Sequence, residues 1–311
     1  MNYRIYKLQF KTGLHVGRGK LTDGAESFYA DTLFSALCKE ALKLGGEKML
    51  AQLVERVQGG QIRLSDGFPY IANRLYIPKP MLLIKGAEES DSKEKKAYKK
   101  LEYIPLDQFE IYLQGKMDVR KEIDYFGDNF GTYGVRAMAK VEKGKDAEPY
   151  SVGVYYFKEG AGLYVIVGFE EEEDSWLLGD LFESLSYTGI GGKRSSGLGK
   201  FVPNVSSMDD KLEARLNHTS EGDCYMALSL CLPSEKELDK VIESARYGML
   251  KRSGFVSSES YAVTFHKKKT LFTFKAGSCF KKTFDGIVAD VSEGGNHPVY
   301  CYAKAMLMEI G

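Results

Sequence analysis

From Tyr3 to Phe10 the side chains alternate, with Ile5, Lys7 and Gln9 on one side and Tyr6, Leu8 and Phe10 on the other, which is the period of a β-strand. After a glycine-containing turn, Gly13 to Lys20, the period lengthens. Leu33, Phe34, Leu37, Cys38, Ala41 and Leu44 fall on one helical stripe, with Asp31 placed as its N-cap and Gly45-Gly46 as its stop. Residues 61–85 carry two short strands around a Ser65-Asp66-Gly67 turn. Val152 to Phe157 and Gly162 to Phe169 read as paired strands. Leu178, Leu181, Phe182 and Leu185 mark a second helix, opened by the acidic run Glu170 to Asp174, which suits the positive end of a helix. Leu198 to Val202 then reads as a strand closed by Pro203. The order matches the βαββαβ order of a ferredoxin-like (RRM-like) unit.

Beyond Pro203 a polar stretch to about Gly222 reads as a linker. Cys224 to Leu232 restarts with a strand, and Ser234 with Glu237 has the spacing of a capping box. Further strands are expected at Lys251–Val256, Tyr261–Phe265, Lys269–Phe274 and around Val299–Leu307. The fold class is therefore α+β, with two ferredoxin-like domains at 1–205 and 215–311. The first carries an insertion at about 88–150. Its start mixes Lys93, Lys95, Lys96, Lys99 and Lys100 with Glu88, Glu89, Asp91 and Glu94, the composition of a solvated face. The part from 115 is poor in large apolar residues and includes Phe126-Gly-Asp-Asn-Phe-Gly-Thr-Tyr-Gly-Val-Arg136, either a functional projection or a disordered loop.

Composition narrows the function. At 311 residues the chain is long for one core. The formal net charge is zero, so any affinity for nucleic acid has to come from local clusters. One is the start of the chain, where Arg4, Lys7, Lys11, Arg18 and Lys20 precede the first acid, Asp23. Another runs from Lys251 to Lys282, with eight Lys and Arg against the single acid Glu259. Phe255, Tyr261, Phe265, Phe272 and Phe274 interleave with those cations, as suits single-stranded RNA, and equally an ordinary sheet with phenylalanine inside and lysine in water. The five cysteines, Cys38, Cys224, Cys231, Cys279 and Cys301, form no C-x-x-C pair and read as reduced packing residues. With His15, His218, His266 and His297 scattered, no zinc site is visible and no cofactor is expected. No signal segment or membrane-length apolar run is found, so a cytoplasmic protein is expected.

The densest chemistry lies in Tyr187-Thr-Gly-Ile-Gly-Gly-Lys-Arg-Ser-Ser-Gly-Leu-Gly-Lys-Phe201. Glycines allow tight turns and close approach, and Lys193, Arg194, Ser195 and Ser196 supply charge and donors, the make-up of a phosphate cradle. A Walker A loop requires Gly-Lys-Ser/Thr at the mouth of a helix, but Gly192-Lys193 is followed by Arg194. The dinucleotide fingerprint fails because Arg194 stands where its third glycine belongs. Both motifs also run strand, loop, helix, whereas here the order is helix, loop, strand. ATPase and dehydrogenase functions are excluded.

This pattern, Gly-x-Gly-Gly-Lys-Arg-Ser-x-Gly-x-Gly-x-Phe, resembles the glycine-rich loop of the RAMP superfamily, the RNA-binding proteins of CRISPR systems. The likeness extends to the basic first strand with its His15-Val-Gly17 turn, the Asp31-Thr-Leu helix, the inserted region and Arg252-Ser-Gly-Phe255. In order and size the chain is most similar to the subunit-four family of the Csm complex, the type III-A interference assembly. The resemblance implies a non-catalytic scaffold that holds the 5′ tag of a crRNA and through it meets target RNA. Its implied protein partners are the large palm-domain subunit and the first backbone RAMP subunit. The implied RNA-binding residues are His15, Gly17, Arg18 and Lys20; Gly189, Gly191, Gly192, Lys193, Arg194, Ser195, Ser196, Gly197 and Gly199; and Lys251, Arg252, Ser253, Gly254 and Phe255. The insertion would hold a β-hairpin thumb, with Phe130, Tyr133 and Val135 as a wedge between nucleotides and Arg136 on a phosphate. Two alternatives stand beside this. Some RAMP relatives are metal-independent endoribonucleases, which would make His15 a general acid/base with Lys20 or Lys193 on the phosphate. A backbone RAMP subunit cuts target RNA with an aspartate, a role Asp31 would fill if it were not a cap. A host RNA-binding protein unrelated to CRISPR is the third reading.

Overall fold

The computed structural model describes residues 1–84, 92–141, 143–144, 146–217, 224–258, 260–262, 264 and 266–310. Phe265, Glu259, His218, Glu88, Glu89 and Asp91 lie outside them. The first part of the chain runs β1 (Asn2–Phe10), α1 (Ala30–Gln58), β2 (Ile62–Leu64), β3 (Phe68–Ile71), β4 (Arg74–Pro78), α2 (Ser92–Lys100), β5 (Tyr103–Pro105), α3 (Phe109–Leu113) and α4 (Val119–Asn129). Next come β6 (Gly131–Lys140), β7 (Glu148–Phe157), β8 (Ala161–Phe169), α5 (Glu172–Thr188), β9 (Phe201–Ser207) and α6 (Asp210–Leu216). The remainder is β10 (Tyr225–Ala227), α7 (Glu235–Ile242), β11 (Met249–Arg252), β12 (Leu271–Phe274), β13 (Cys279–Phe280), β14 (Gly286–Asp290), β15 (Tyr300–Lys304) and β16 (Leu307–Glu309).

An antiparallel sheet of order β5-β4-β3-β8-β1-β9 organises the molecule. β8 pairs with β1 from Phe169↔Asn2 to Leu163↔Leu8, and β9 takes the other side of β1 from Ser207↔Arg4 to Phe201↔Phe10. β2 and β3 lie end to end along the far side of β8. The alternation in β1 is obeyed, but both of its faces are covered. Tyr6 and Leu8 pack with α1 and α5 through Phe34, Leu37, Leu178 and Phe182, and Tyr6 stacks on Phe182 with ring centroids 4.2 Å apart. On the other face Tyr3 and Ile5 join Met226, Leu228, Met306, Met308 and Ile310 from the C-terminal segment. Each such side chain, taken from water, contributes about 1.5–3 kcal/mol. The consequence for function is direct. RRM proteins stack bases on an open sheet face, and here that face is buried under the protein's own C-terminal strands.

Several expectations are corrected. α1 bends at Gly46, where φ is +64°, and resumes to Gln58 instead of stopping. Leu44, before the bend, is exposed. Asp31 is not the cap: Tyr29 occupies that position, and the carboxylate of Asp66 accepts the Ala30 N–H at 2.8 Å. The same oxygen accepts the Leu230 N–H at 3.0 Å, tying the C-terminal segment to the start of α1. Burial pushes the Asp66 carboxyl up to about 7. Ser65-Asp66-Gly67 does join two short strands, β2 and β3, which follow one another along β8 without pairing with each other. β7 pairs with β6, not with β8. β9 continues through Pro203, which an edge strand tolerates. Between 224 and 310 one helix, α7, is present among the described residues, and the strands divide into small sheets instead of repeating βαββαβ.

Candidate nucleic-acid interface

The glycine-rich loop leaves α5 at Gly189, whose φ of +83° turns the chain out of the helix while its N–H donates to Leu185 O at 2.7 Å. Ile190 N–H donates to Gly199 O at 3.0 Å, and Gly199 N–H to Gly13 O at 2.9 Å, so the loop closes on itself and on the turn after β1. A Cβ on Gly199 would stand 1.9 Å from the Ile190 carbonyl oxygen, and one on Gly191 would stand 2.5 Å from the His15 carbonyl oxygen. These glycines are required by backbone contact. Lys193 adopts φ +57°, a left-handed conformation that is uncommon outside glycine, and opens the short 3₁₀ turn Arg194–Ser196. The turn exposes Ser195 and Ser196 and leaves Lys193 and Arg194 half-buried.

Two neighbours hold this shape. The ring of His15 is only 5 % exposed, and its Nδ1 donates to Gly153 O at 2.6 Å, while its backbone carbonyl accepts the Gly192 N–H at 2.8 Å. His15 therefore supports the loop from beneath. The β6–β7 hairpin forms the second wall, where Leu198 packs on Val152 and Val154. Lys193 Nζ lies 4.5 Å from the centroid of the Tyr150 ring and 3.3 Å from its hydroxyl. Along the hairpin Val135 is 68 % exposed, and Tyr133 and Arg136 are exposed with it. Phe130 is not part of that projection. It is 1 % exposed, packed among Phe126, Tyr155 and Phe157. Arg18 and Lys20 project from the turn before α1, with Arg18 3.6 Å from Glu26 and Gly17 exposed beside them.

The third region divides. Arg252 gives both its Nε and a terminal nitrogen to Asp31 at 2.8 Å and lies over the Tyr29 ring at 4.7 Å. That ion pair engages Arg252 with Asp31 and withdraws Asp31 from solvent. Lys251, Ser253 and Phe255 stay exposed, Gly254 is half-buried, and Lys251 pairs across the hairpin with Phe272, itself 54 % exposed. Phe274 and Tyr261 are core residues.

Lys39, on α1, does not stand out in the sequence, because Glu40 beside it suggests an ordinary solvated pair. Glu40 is engaged elsewhere. It accepts the Ser184 hydroxyl at 2.6 Å and the Thr188 hydroxyl at 2.7 Å and lies 3.6 Å from Lys43. Burial acts to raise the Glu40 carboxyl, and the two hydroxyls and Lys43 outweigh it and hold it low. Lys39 instead donates to Ser257 Oγ at 2.5 Å. Burial pulls its pKa below that of an ordinary lysine, and the positive charge of Arg194 acts in the same direction. Lys39, Lys193 and Arg194 have no carboxylate partner among the described residues. Among those residues no group of three His, Cys, Asp or Glu is placed to hold a metal, and no helix is long and apolar enough to cross a membrane.

Residues 220–310 match the model of the CRISPR Csm4 C-terminal domain. The whole chain is 37% identical over 311 residues to the CRISPR system Cms protein Csm4 of Mycobacterium tuberculosis, covering 98% of that protein. It is 32% identical over 320 residues to the Csm4 of Streptococcus thermophilus, covering 99% of it. The fold is similar over the full length of both chains to one in the Csm3-Csm4 subcomplex of the type III-A CRISPR-Cas interference complex, with a TM-score of 0.69 at 19% identity. It is also similar to one in a Csm1-Csm4 cassette in complex with pppApA, with a TM-score of 0.62 at 18% identity and 98% of that chain covered.

Proposed function

The chain belongs to the Csm4 family of CRISPR proteins, and on that premise we propose that it is a non-catalytic crRNA-binding scaffold of a type III-A Csm complex. It holds the 5′ tag of the crRNA, and through the crRNA meets target RNA, while joining the large palm-domain subunit to the first backbone RAMP subunit. Relatives of this fold occur with Csm1 in one assembly and with Csm3 in another, which supports a linking position. Residues 1–205 are the ferredoxin-like RAMP unit, since β2/β3, β8, β1 and β9 lie in ferredoxin order with α1 and α5 on one face. The β6–β7 hairpin is its thumb, with Tyr133, Val135 and Arg136 at the exposed side and Phe130 as its anchor. Residues 215–311 are the smaller unit that covers the second face of the sheet.

The observation that carries the proposal is the set of cations without carboxylate partners around a loop whose glycines are demanded by backbone contact. Changing Lys193 and Arg194 together to Ala is expected to weaken single-stranded RNA binding and to reduce the salt slope by about 0.7 for each phosphate the loop no longer neutralises. Titration of affinity against salt reads this directly, and an unchanged slope would remove the loop from the RNA path. The scaffold role also predicts that wild type and His15→Ala leave a CRISPR transcript equally uncut in a cleavage assay. A buried ring whose Nδ1 is spent on a backbone carbonyl is a support for the loop. Cleavage by wild type that His15→Ala abolishes would instead make the chain a nuclease.

A further inference from the structure

β11 and β12 pair as a two-stranded ribbon in which Lys251 stands opposite Phe272. Farther along, the chain after β11 meets the segment before β12, where Phe255 bridges Lys267. There Val256 N–H donates to His266 O and Lys268 N–H to Gly254 O, both at 2.9 Å. Opposed residues of an antiparallel pair share a face, and Lys267 Nζ lies 5.9 Å from the centroid of the Phe255 ring. The ribbon thus carries two phenylalanine–lysine pairs. An ordinary sheet turns phenylalanine inward, as this ribbon does with Phe274, which is buried. Phe272 and Phe255 instead remain 54 % and 58 % exposed. The ribbon is fastened elsewhere, by Arg252 on Asp31 and by Phe274, which exchanges backbone hydrogen bonds with Cys231 at 2.8 and 3.0 Å. The two rings are therefore held in water on a supported ribbon. Charge indicates what covers them. Lys251 and Lys267 have no carboxylate partner among the described residues. A single-stranded RNA brings phosphates for the lysines and flat bases for the rings in one molecule.

We propose that this ribbon is a base-stacking platform, on which Phe272 and Phe255 each receive an unpaired base of a single-stranded RNA while Lys251 and Lys267 meet the flanking phosphates. The platform rests on the RNA-scaffold reading given above and deepens it: the glycine-rich loop takes backbone, and the ribbon takes bases. Lys251 and Phe255 are four positions apart, an even number that keeps them on one side of their strand, and the partner strand uses five positions between Lys267 and Phe272, one more, as at a bulge. Four residues of strand span about 13 Å, whereas stacked neighbours along a nucleic-acid strand lie about 3.4 Å apart. The two rings therefore take bases splayed out of a continuous stack, the state in which single-stranded RNA is read.

The test uses the full-length chain and a fluorescein-labelled single-stranded oligoribonucleotide, with affinity measured as a function of salt. Phe272→Ala and Phe255→Ala are each expected to weaken binding about tenfold, as the loss of one stacked base does, with the salt slope unchanged because a ring carries no charge. Phe272→Tyr is expected to bind as wild type does, and Phe272→Leu as weakly as Phe272→Ala, since tyrosine keeps the flat ring and leucine keeps only apolar bulk. An abasic phosphodiester oligomer of the same length is expected to bind wild type and Phe272→Ala equally. Thermal melting of each variant checks that it is folded. If the folded alanine variants bind the oligoribonucleotide as wild type does while the Lys193/Arg194 double variant loses slope, the platform is wrong and the loop reading stands. If no variant, the double one included, changes affinity or slope, the scaffold reading fails and the platform with it. Loss of the large palm-domain subunit from the purified Phe272→Ala assembly, with RNA affinity intact, would make the ribbon a protein-docking face instead.

Discussion

Arg252→Ala is expected to lower the unfolding free energy by about 3–5 kcal/mol, the cost of stranding one partner of a buried ion pair. The Asp31 side chain is 3 % exposed, whereas that of Arg252 is 22 % exposed, so the carboxylate is the group left without compensation. Two nitrogen-to-oxygen distances of 2.8 Å hold the pair in bidentate geometry, and the guanidinium also covers Tyr29. The pair joins β11 to α1 across the boundary between the two parts of the chain. Removing both charges with Asp31→Leu and Arg252→Met is expected to restore much of the loss, since a buried pair replaced by apolar side chains is often neutral or better. Urea unfolding measures the stability, and the salt slope of RNA binding serves as the second readout. A stable Arg252→Ala protein with a reduced slope would show that Arg252 binds phosphate and that the pair with Asp31 is incidental.

Gly199→Ala is expected to cost about 3–4 kcal/mol and to abolish the native shape of the loop. A left-handed alanine costs about 1–2 kcal/mol, and the native φ here is +76°. The added carbon would also lie 1.9 Å from the Ile190 carbonyl oxygen, so Ile190 and Gly199 must separate. Their mutual hydrogen bond and that from Gly199 to Gly13 are then broken, at about 1 kcal/mol each. Gly197→Ala is the matched control. Its φ is +83°, but nothing lies within 4 Å of the added carbon, so only the backbone strain of about 1–2 kcal/mol applies. Melting of both variants distinguishes this from a role in which the glycines supply only flexibility, which predicts equal losses at 197 and 199.

The sequence carried the local elements of the first part well, because each has a one-sided pattern that a single neighbour satisfies. Leu178, Leu181, Phe182 and Leu185 in α5 are all buried, as their spacing requires. It carried the loop as well, since glycine at five places around Lys-Arg-Ser has few structural uses. What it could not carry were the contacts between distant segments. Ile5 read as a companion of Lys7 and Gln9 because nothing local says that Met306 and Met308 will cover that face. Arg252 and Asp31 are 221 positions apart, so each alone looked like a surface charge with its own task. Phe130 belonged by proximity to the projecting hairpin, but one residue before β6 it still faces the ring cluster of Phe126 and Tyr155. Lys39 was concealed by the same mechanism, since its bond to Ser257 exists only once α1 and the C-terminal arm have met.

The central claim is that this chain holds the tag end of a CRISPR RNA within a larger assembly. The most direct measurement is to purify the affinity-tagged chain from the cells in which it is made and to sequence the RNA that accompanies it. Short RNAs that share one repeat-derived 5′ tag are expected, recovered together with a large palm-domain subunit, and they should be missing from the Lys193/Arg194 double variant. Recovery of the same partners without RNA, or of uncut CRISPR transcripts alone, would contradict it.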